Sequence, residues 1–346
     1  MENLKKEVTQ LLEKAGFGPP KNEGQEFTLT PLHGDASNRI YYRIHLPKKS
    51  LILMERPRHS AESPSEEITK EPKGFSDYSF INIQCYLEQS SIPVPKIFAY
   101  SSDQRLILLE DVGDTTLEKK IQKDPKNLRK YYEKSIELIT QLQKLKKNNK
   151  CIAWKRKFDQ DLLQWEFDHF LEWGLEKGMS ISLPQKERKE LQGIFKDIVT
   201  EIFQMKTCFC HRDFQSRNLM VSNNHFILLD FQDSLQGPIP YDLVALLRDS
   251  YIELSENNLF EFLNFFMDKS NIEERQKFIR EFDLQTIQRK LKDGGRFHYI
   301  HLFKKNPHFL PHVPSSYRYV AQALRRQPEG KHVLPILKKY IQEFSS

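Results

Sequence analysis

Cysteine is scarce. The 346 residues hold four, Cys85, Cys151, Cys208 and Cys210, two of them isolated and two forming Cys-Phe-Cys. That number and spacing exclude a disulfide framework and match no usual zinc knuckle. Reduced thiols in a cytoplasmic protein are the expectation. Long apolar runs are missing too: no stretch approaches the roughly 18 residues of a membrane span. The opening segment, MENLKKEVTQLLEKAG, has the pattern of an amphipathic helix with acids and bases mixed. It lacks the apolar core and cleavage site of a secretory leader. Internal repeats and low-complexity segments are also absent. A strong excess of one charge is lacking as well: 53 Lys and Arg against 47 Asp and Glu leave +6. The densest cluster, KLKKNNK at Lys144–Lys150, reads as a solvated helix end rather than a nucleic-acid stripe. No nucleic acid and no membrane is expected as a partner; a small anionic ligand suits the mild basic excess.

Apolar material is sufficient for a sizeable core, with 38% hydrophobic and 12% aromatic residues beside 29% charged. At this length that suits one large or two modest domains. Residues 27–31, 39–46 and 51–54 read as three short antiparallel strands. On the second, Ile40, Tyr42, Ile44 and Leu46 fall on one face and Arg39, Tyr41, Arg43 and His45 on the other. Residues 55–74, rich in Pro, Ser and charge, read as a loop. A helix over 75–90 follows, with Phe80, Ile83 and Leu87 as its apolar stripe, then strands near 96–101 and 105–109. Glu110–Leu117 breaks the pattern at a glycine. Beyond it the chain reads as helical. One helix opens at Asp124-Pro125, others cover 158–173 and 185–205, and more run to the C-terminus. One short β-rich stretch interrupts them. The expectation is an α+β protein: a small antiparallel sheet lobe with one main helix, residues 1–112, hinged to a larger, mostly helical lobe, residues 113–346. Clefts between such domains are frequent ligand sites.

The interruption, FCHRDFQSRNLMVSNNHFILLDFQD at Phe209–Asp233, carries the chemistry. His211–Asn218 reads as a loop, and two short strands follow, the second ending at Asp230. An antiparallel hairpin of near-equal strands puts Asn218 and Asp230 at one end, with Asp213 in the adjoining loop. Carboxylate and amide oxygens are hard ligands that suit Mg²⁺, which takes few protein ligands beside substrate phosphates. Asn218 and Asp230 could be that protein share. Asp213 is then left to orient a hydroxyl and accept its proton, the division of labour of kinase-type phosphoryl transfer. The spacing agrees: His211-Arg212-Asp213, four residues, then Asn218 reproduces H-R-D-x-x-x-x-N, and Asp230-Phe231-Gln232 stands where D-F-G would. Asp and Asn also cap turns. For His211 and Arg212 the architectural reading is preferred; for Asp213, Asn218 and Asp230 together the template's specificity favours chemistry. Downstream, Gly237-Pro238-Ile239-Pro240 reads as a rigid turn, and Asp242 as the cap of a helix beginning at Leu243.

HRDFQSRNLM with LLDFQDSLQGPIPYDLVALLRDSY resembles the aminoglycoside/choline-kinase-like phosphotransferases. Within them the sequence is most similar to the bacterial anomeric kinases of N-acetylmuramate and N-acetylglucosamine. Gly34-Asp35-Ala36-Ser37 and Tyr41-Tyr42-Arg43 match that branch's first loop, Leu108–Asp114 its hinge, and Gly294–Pro314 a late segment. The likeness therefore spans most of the chain. It implies a two-lobed protein-kinase-like fold and an ATP- and Mg²⁺-dependent kinase. Its acceptor would be the C1 hydroxyl of an amino sugar, in cell-wall sugar recycling, and a monomer is expected. Asp213 would be catalytic, and Asn218 and Asp230 would hold the metal. Gly34, Asp35, Ser37 and Arg43 would lie by the phosphates, with backbone groups of Glu110 and Val112 on adenine. Arg217, Gln232 and Asp233 would meet sugar hydroxyls. Other acceptors of the same class, such as choline, homoserine or an aminoglycoside, and a non-catalytic ligand-binding protein are the rival readings.

One element of the general kinase template is missing. The third strand, Leu51–Glu55, has no Lys, and Met54 stands in its slot. The following helix, read over Ser76–Leu87, has no Glu. Loss of one partner would strand a buried charge; loss of both is self-consistent. Arg39, Arg43 or Arg56 could supply the phosphate-binding charge instead.

Overall fold

The alternation read on the second strand is realised as a sheet with two different faces. The computed structural model describes residues 2–17, 27–32, 39–56, 72, 74–222 and 225–345. Gly34, Asp35 and Ser37, with most of the expected 55–74 loop, lie outside them. The chain divides into two compact units. The first comprises Met1–Thr115, Lys150–Ile152 and Met220–Gln232; the second comprises Thr116–Asn149, Ala153–Leu219 and Asp233–Ser346.

In the first unit, α1 (Glu2–Lys14) precedes β1 (Thr28–Leu32), β2 (Ile40–Leu46) and β3 (Lys49–Glu55). Then come α2 (Ser79–Gln89), β4 (Ile97–Tyr100) and β5 (Leu106–Glu110). The strands form one antiparallel sheet in the order β1-β2-β3-β5-β4. On one face Ile44, Leu51, Leu53, Leu106 and Leu108 bury against Val8, Leu11 and Leu12 of α1. On the other, Met54 lies opposite Tyr41 and Ile107 in register and is fully buried. The slot expected of a lysine is thus an apolar core position. A Lys there would need a partner for its charge, since an unpaired buried ammonium is prohibitive. The helix after it does hold a glutamate: α2 runs to Gln89 and includes Glu88, one residue past the Ser76–Leu87 stretch that has none. Glu88 accepts from Gln84 Nε2 at 3.2 Å.

The second unit holds α3 (Leu117–Lys123) and α4 (Leu128–Gln143). It continues with α5 (Gln160–His169), a π-helix (Phe170–Lys177), α6 (Gln185–Gln204) and β6 (Thr207–Cys210). β7 (Leu219–Ser222) and β8 (His225–Leu228) form a two-stranded sheet, mostly within the first unit's Met220–Gln232 stretch. After β9 (Leu235–Pro238) the chain is helical: α7 (Pro240–Leu247), α8 (Glu256–Lys269), α9 (Arg275–Lys304), α10 (Val313–Arg326) and α11 (Gly330–Leu337). α9 packs against α5, α6, α7, α10 and the π-helix. No helix among the described residues is long and apolar enough to cross a membrane.

Four local expectations change. The helix read over 158–173 is an α-helix capped by Asp159, whose carboxylate accepts from the Leu162 amide at 2.9 Å, and then a π-helix. At Asp124-Pro125 a 3₁₀ turn, Pro125–Asn127, precedes the helix proper. The strand before Asp230 ends two residues earlier, at Leu228. Gly237 and Pro238 are not a turn: they close β9, which pairs antiparallel with β6 from Cys210↔Leu235 to Thr207↔Pro238. Proline is tolerated there because it stands at the strand's end.

Gly294 and Gly295 interrupt the longest helix for a steric reason. A Cβ on Gly295 would stand 2.9 Å from the Phe170 Cα and 3.0 Å from the His169 carbonyl oxygen; one on Gly294 would stand 2.4 Å from the Tyr317 ring. The two glycines let the π-helix and α10 approach α9. Gly295→Ala should therefore destabilise by about 1–3 kcal/mol through overpacking, although Ala is the better helix former by about 1 kcal/mol. Urea unfolding monitored by circular dichroism measures this; a more stable variant would contradict the close approach.

Candidate active site

The loop after β6 has its backbone tied from below. Cys208, Phe209 and Cys210 are buried, so β6 delivers His211 into the interior, where each amide needs a partner. Arg212 takes a left-handed conformation, φ 79°, which costs a non-glycine residue about 1–3 kcal/mol. The Asp242 carboxylate accepts from the His211 amide at 2.7 Å and the Arg212 amide at 3.0 Å. Asp249 likewise accepts from the Ser216 amide at 2.8 Å. Both aspartates are 1% exposed, and desolvation raises their pKa above the ordinary carboxylate value, only partly opposed by these hydrogen bonds. Asp242 is therefore not a helix cap. α7 begins at Pro240, and the carboxylate reaches a loop 30 residues upstream.

Asp213 is presented by this loop with its side chain 39% exposed. Its amide donates to His211 Nδ1 at 3.2 Å, so the buried His211 holds the turn. Its carbonyl accepts from the Gln215 amide at 2.8 Å and from Asn218 Nδ2 at 2.9 Å. From α9, Arg289 reaches in, with Nη1 2.6 Å from the Arg212 carbonyl and Nη2 3.2 Å from Asp213 Oδ1. Desolvation works to raise the Asp213 pKa, but Arg289, Lys292, Arg212 and His211 outweigh it and hold the carboxyl below its usual value. Asp213 is an ionised acceptor at neutral pH. Around it, Arg212 lies 3.8 Å from Glu166, whose other oxygen accepts from Gln288 Nε2 at 2.5 Å.

Asp230 follows β8 with φ 61°, a left-handed conformation that Asp tolerates better than most residues. Its Oδ1 accepts from Gln232 Nε2 at 3.0 Å and from Arg39 Nη1 at 3.3 Å. Arg39 is 13% exposed and Asp230 41%. Burial opposes the Arg39 charge, while Tyr78, Tyr41 and Asp230 more than offset it. Phe231 is buried with its ring 4.8 Å from that of Phe80. Of the three arginines weighed from sequence, Arg39 is the one that meets Asp230 among the described residues. Arg43 is clamped by two carboxylates, with Asp111 at 2.7 Å and 3.1 Å and Asp114 at 2.8 Å and 3.1 Å. Arg56 lies over the Tyr78 ring at 3.7 Å.

The remaining expected residues take definite places. The Glu110 amide donates to the Lys96 carbonyl at 2.9 Å, and Val112 follows, partly exposed. Arg217 forms a fork with Glu118 at 2.8 Å and 3.2 Å and lies 3.7 Å over the Tyr251 ring. Asp233 is partly exposed and acts on Arg212 electrostatically. Sequence reasoning missed Arg289, Lys292, Asp249 and the clamping role of Asp242. The available signal was the run DLQTIQRKLKDGG on α9, where polar residues occupy the buried face: Gln285, Gln288, Arg289 and Lys290 are at most 1% exposed.

The donor chemistry suits a hard cation. Asn218 uses its amide nitrogen on the Asp213 carbonyl, which leaves the amide oxygen as its ligating atom. Asp230, in the first unit, carries a partly exposed carboxylate. Oxygen donors of this kind fit Mg²⁺.

Residues 28–265 match the family model described as phosphotransferase enzyme family. The N-acetylmuramate/N-acetylglucosamine kinase of Pseudomonas aeruginosa is 28% identical over 307 residues, covering 87% of this chain and 85% of that one. The protein of the same name from Neisseria meningitidis is 27% identical over 312 residues, covering 88% of each. Among solved structures, choline kinase from Cryptosporidium parvum superposes with a TM-score of 0.60 at 11% identity, covering 96% of this chain and 97% of that one. ADP-bound aminoglycoside phosphotransferase APH(2'')-Ib gives 0.58 at 14%, covering 93% and 97%. These neighbours share the expected protein-kinase-like fold.

On α9, Asp293 is 7% exposed between Lys290 at 2.8 Å and Lys292 at 3.3 Å. Desolvation works to raise its pKa, but the cations Lys290, Lys292 and Arg289 drive it far below the ordinary value. A depressed carboxyl stabilises the fold above the unfolded-state pKa, and that contribution is lost as pH falls. Asp293→Asn should cost about 3–5 kcal/mol at pH 7 by leaving Lys290 buried and unpaired. The gap from wild type should shrink below about pH 4, where the unfolded-state aspartate takes up its proton. Unfolding curves at several pH values measure it; a gap constant with pH would contradict the ion-pair account.

Proposed function

The chain belongs to the phosphotransferase enzyme family, and from that premise we propose that it transfers the γ-phosphoryl group of ATP to the C1 hydroxyl of an amino sugar, N-acetylmuramate or N-acetylglucosamine. The observation that carries the reading is the fixed loop that presents an ionised Asp213 beside Asn218, followed at kinase spacing by Asp230. The names of the curated relatives support the choice of acceptor, and such a product would serve cell-wall sugar recycling.

Asp213 orients the acceptor hydroxyl and takes its proton as the oxygen bonds to phosphorus. The bond from phosphorus to the bridging oxygen breaks, and ADP departs with that electron pair. Arg289 keeps Asp213 charged, and the Asp242 clamp holds it in place, so little reorganisation is needed at the moment of transfer. Asn218 and Asp230 would hold Mg²⁺, which when bound neutralises phosphate charge. Arg39, beside Asp230, takes the charge-supplying part of the missing lysine. Arg43, with its donors on Asp111 and Asp114, acts on the nucleotide by fixing the segment around Glu110 and Val112, whose backbone meets adenine. Gly34, Asp35 and Ser37, outside the described residues, would serve the phosphates on this reading, and Arg217, Gln232 and Asp233 would serve the sugar.

An ADP-release screen over both amino sugars, choline, homoserine and an aminoglycoside tests the reading. Amino sugars should be the substrates; turnover of another acceptor alone would replace it. Asp213→Asn should lower kcat by about 10²–10⁴-fold, the range of a lost general base, while nucleotide affinity stays within a few-fold. Retained turnover would remove its assigned role. Arg39→Met should raise the KM for ATP and lower kcat by about 10²–10³-fold, with Arg39→Lys partly restoring both. An unaltered ATP dependence in Arg39→Met would show that the phosphate charge comes from elsewhere.

A further inference from the structure

A row of side chains on α9 continues past the reacting carboxylate. Arg289, Lys292, Arg296 and Tyr299 recur at steps of three and four residues and so share a helix face. The row begins at Asp213, 3.2 Å from Arg289 Nη2. From Arg289 to Arg296 the helix rises about 10 Å, the span of one substituted sugar ring. Arg289 is fully buried, whereas Lys292 and Arg296 are partly exposed and within reach of a ligand.

Aromatic residues stand along the far half of the row. The Arg296 guanidinium lies 5.2 Å from the Tyr299 ring centre. His169, the last residue of α5, stacks on Trp165 at 5.0 Å and meets Tyr299 at 5.6 Å. Trp173 meets Tyr299 edge-on at 4.8 Å. His169 is 5% exposed, and its Nε2 has no hydrogen-bond partner among the described residues. A buried imidazole nitrogen without a partner is costly unless a ligand or water supplies one. Burial, with Arg296, Lys292 and Lys177, lowers the His169 pKa to about 3, so the ring is neutral. The charges acting on it are all positive. Lys177 is paired with Glu172, and Lys292 has Asp293 at 3.3 Å, a carboxylate it shares with Lys290.

Two partly exposed cations one helical turn apart, bordered by indole and phenol rings and a neutral imidazole, are the chemistry of a carboxylate carried on a sugar. The rings offer an apolar surface to the sugar's face, and the cations make charge-assisted hydrogen bonds to the acid. We propose that Lys292 and Arg296, with His169, Trp165 and Trp173 around them, hold a carboxylate of the acceptor, so that the chain favours an amino sugar of the muramic type over its uncharged counterpart. This rests on the amino-sugar kinase reading and names which member of that substrate pair the site is built for.

The test compares kcat/KM for N-acetylmuramate, its isosteric carboxamide and N-acetylglucosamine. Wild type should prefer the acid over both neutral sugars by roughly tenfold or more, mainly through KM. Arg296→Gln should bring the acid-to-carboxamide ratio toward one, and Arg296→Lys should restore part of it. The carboxamide comparison uses the native chain, so it stands even if a variant folds poorly. Equal use of acid and carboxamide by wild type would overturn the inference while leaving the kinase reading intact. So would an Arg296→Gln variant that loses the same factor on all three sugars. Phosphorylation of none of the three overturns the amino-sugar reading itself.

Discussion

Two amide hydrogens on one buried carboxylate set the geometry at Asp213. The His211 and Arg212 amides both point at Asp242, which they can do because Arg212 adopts a left-handed backbone. Charge-assisted hydrogen bonds of this kind contribute roughly 1.5–3 kcal/mol each, enough to offset the strain of the turn. With the turn held, the Asp213 carbonyl is placed for Asn218 Nδ2 and its carboxylate for Arg289. The orientation of one metal-ligand candidate and the charge state of the candidate catalytic aspartate both follow from that arrangement.

α9 is the element that combines packing with chemistry. Gly294 and Gly295 let neighbouring helices close on it, and the same helix carries Arg289, Lys290, Lys292, Asp293 and Arg296. Arg289 meets the Arg212 carbonyl and Asp213, and Lys290 and Lys292 share Asp293. Breaking one member of such a network is costly because the partner stays buried. In the first unit, Arg39 and Asp230 form a smaller pair, while Met54 is an apolar core residue. On the proposed reading, Arg39, which stands just before β2, takes the part of the kinase template's lysine. A guanidinium suits that place because it is always charged and can contact a carboxylate and a phosphate through different nitrogens.

Much of this was legible in the sequence where the signal is local. Period-two alternation located β2 and its two faces, and the H-R-D-x-x-x-x-N spacing singled out Asp213 and Asn218. The resemblance in those segments led to the right family and fold. The errors were of another kind. Asp242 looked like a cap because a helix begins nearby, yet its partners lie 30 residues upstream. Gly237-Pro238 looked like a turn because those residues usually make one; pairing with β6 holds them extended. Arg289 was invisible because its partners are distant in sequence, and its neighbours on α9 read as an ordinary charged helix surface. A polar stripe at helical spacing is normally solvated; only packing on several sides reveals that this one is interior.

The central claim is that this site phosphorylates the anomeric oxygen of an amino sugar. The most direct measurement is the NMR spectrum of the product made from N-acetylmuramate or N-acetylglucosamine with MgATP. The account predicts a phosphorus resonance coupled to the anomeric proton, which places phosphate on C1. Coupling to the C6 methylene protons instead, or no sugar phosphate at all, would contradict it.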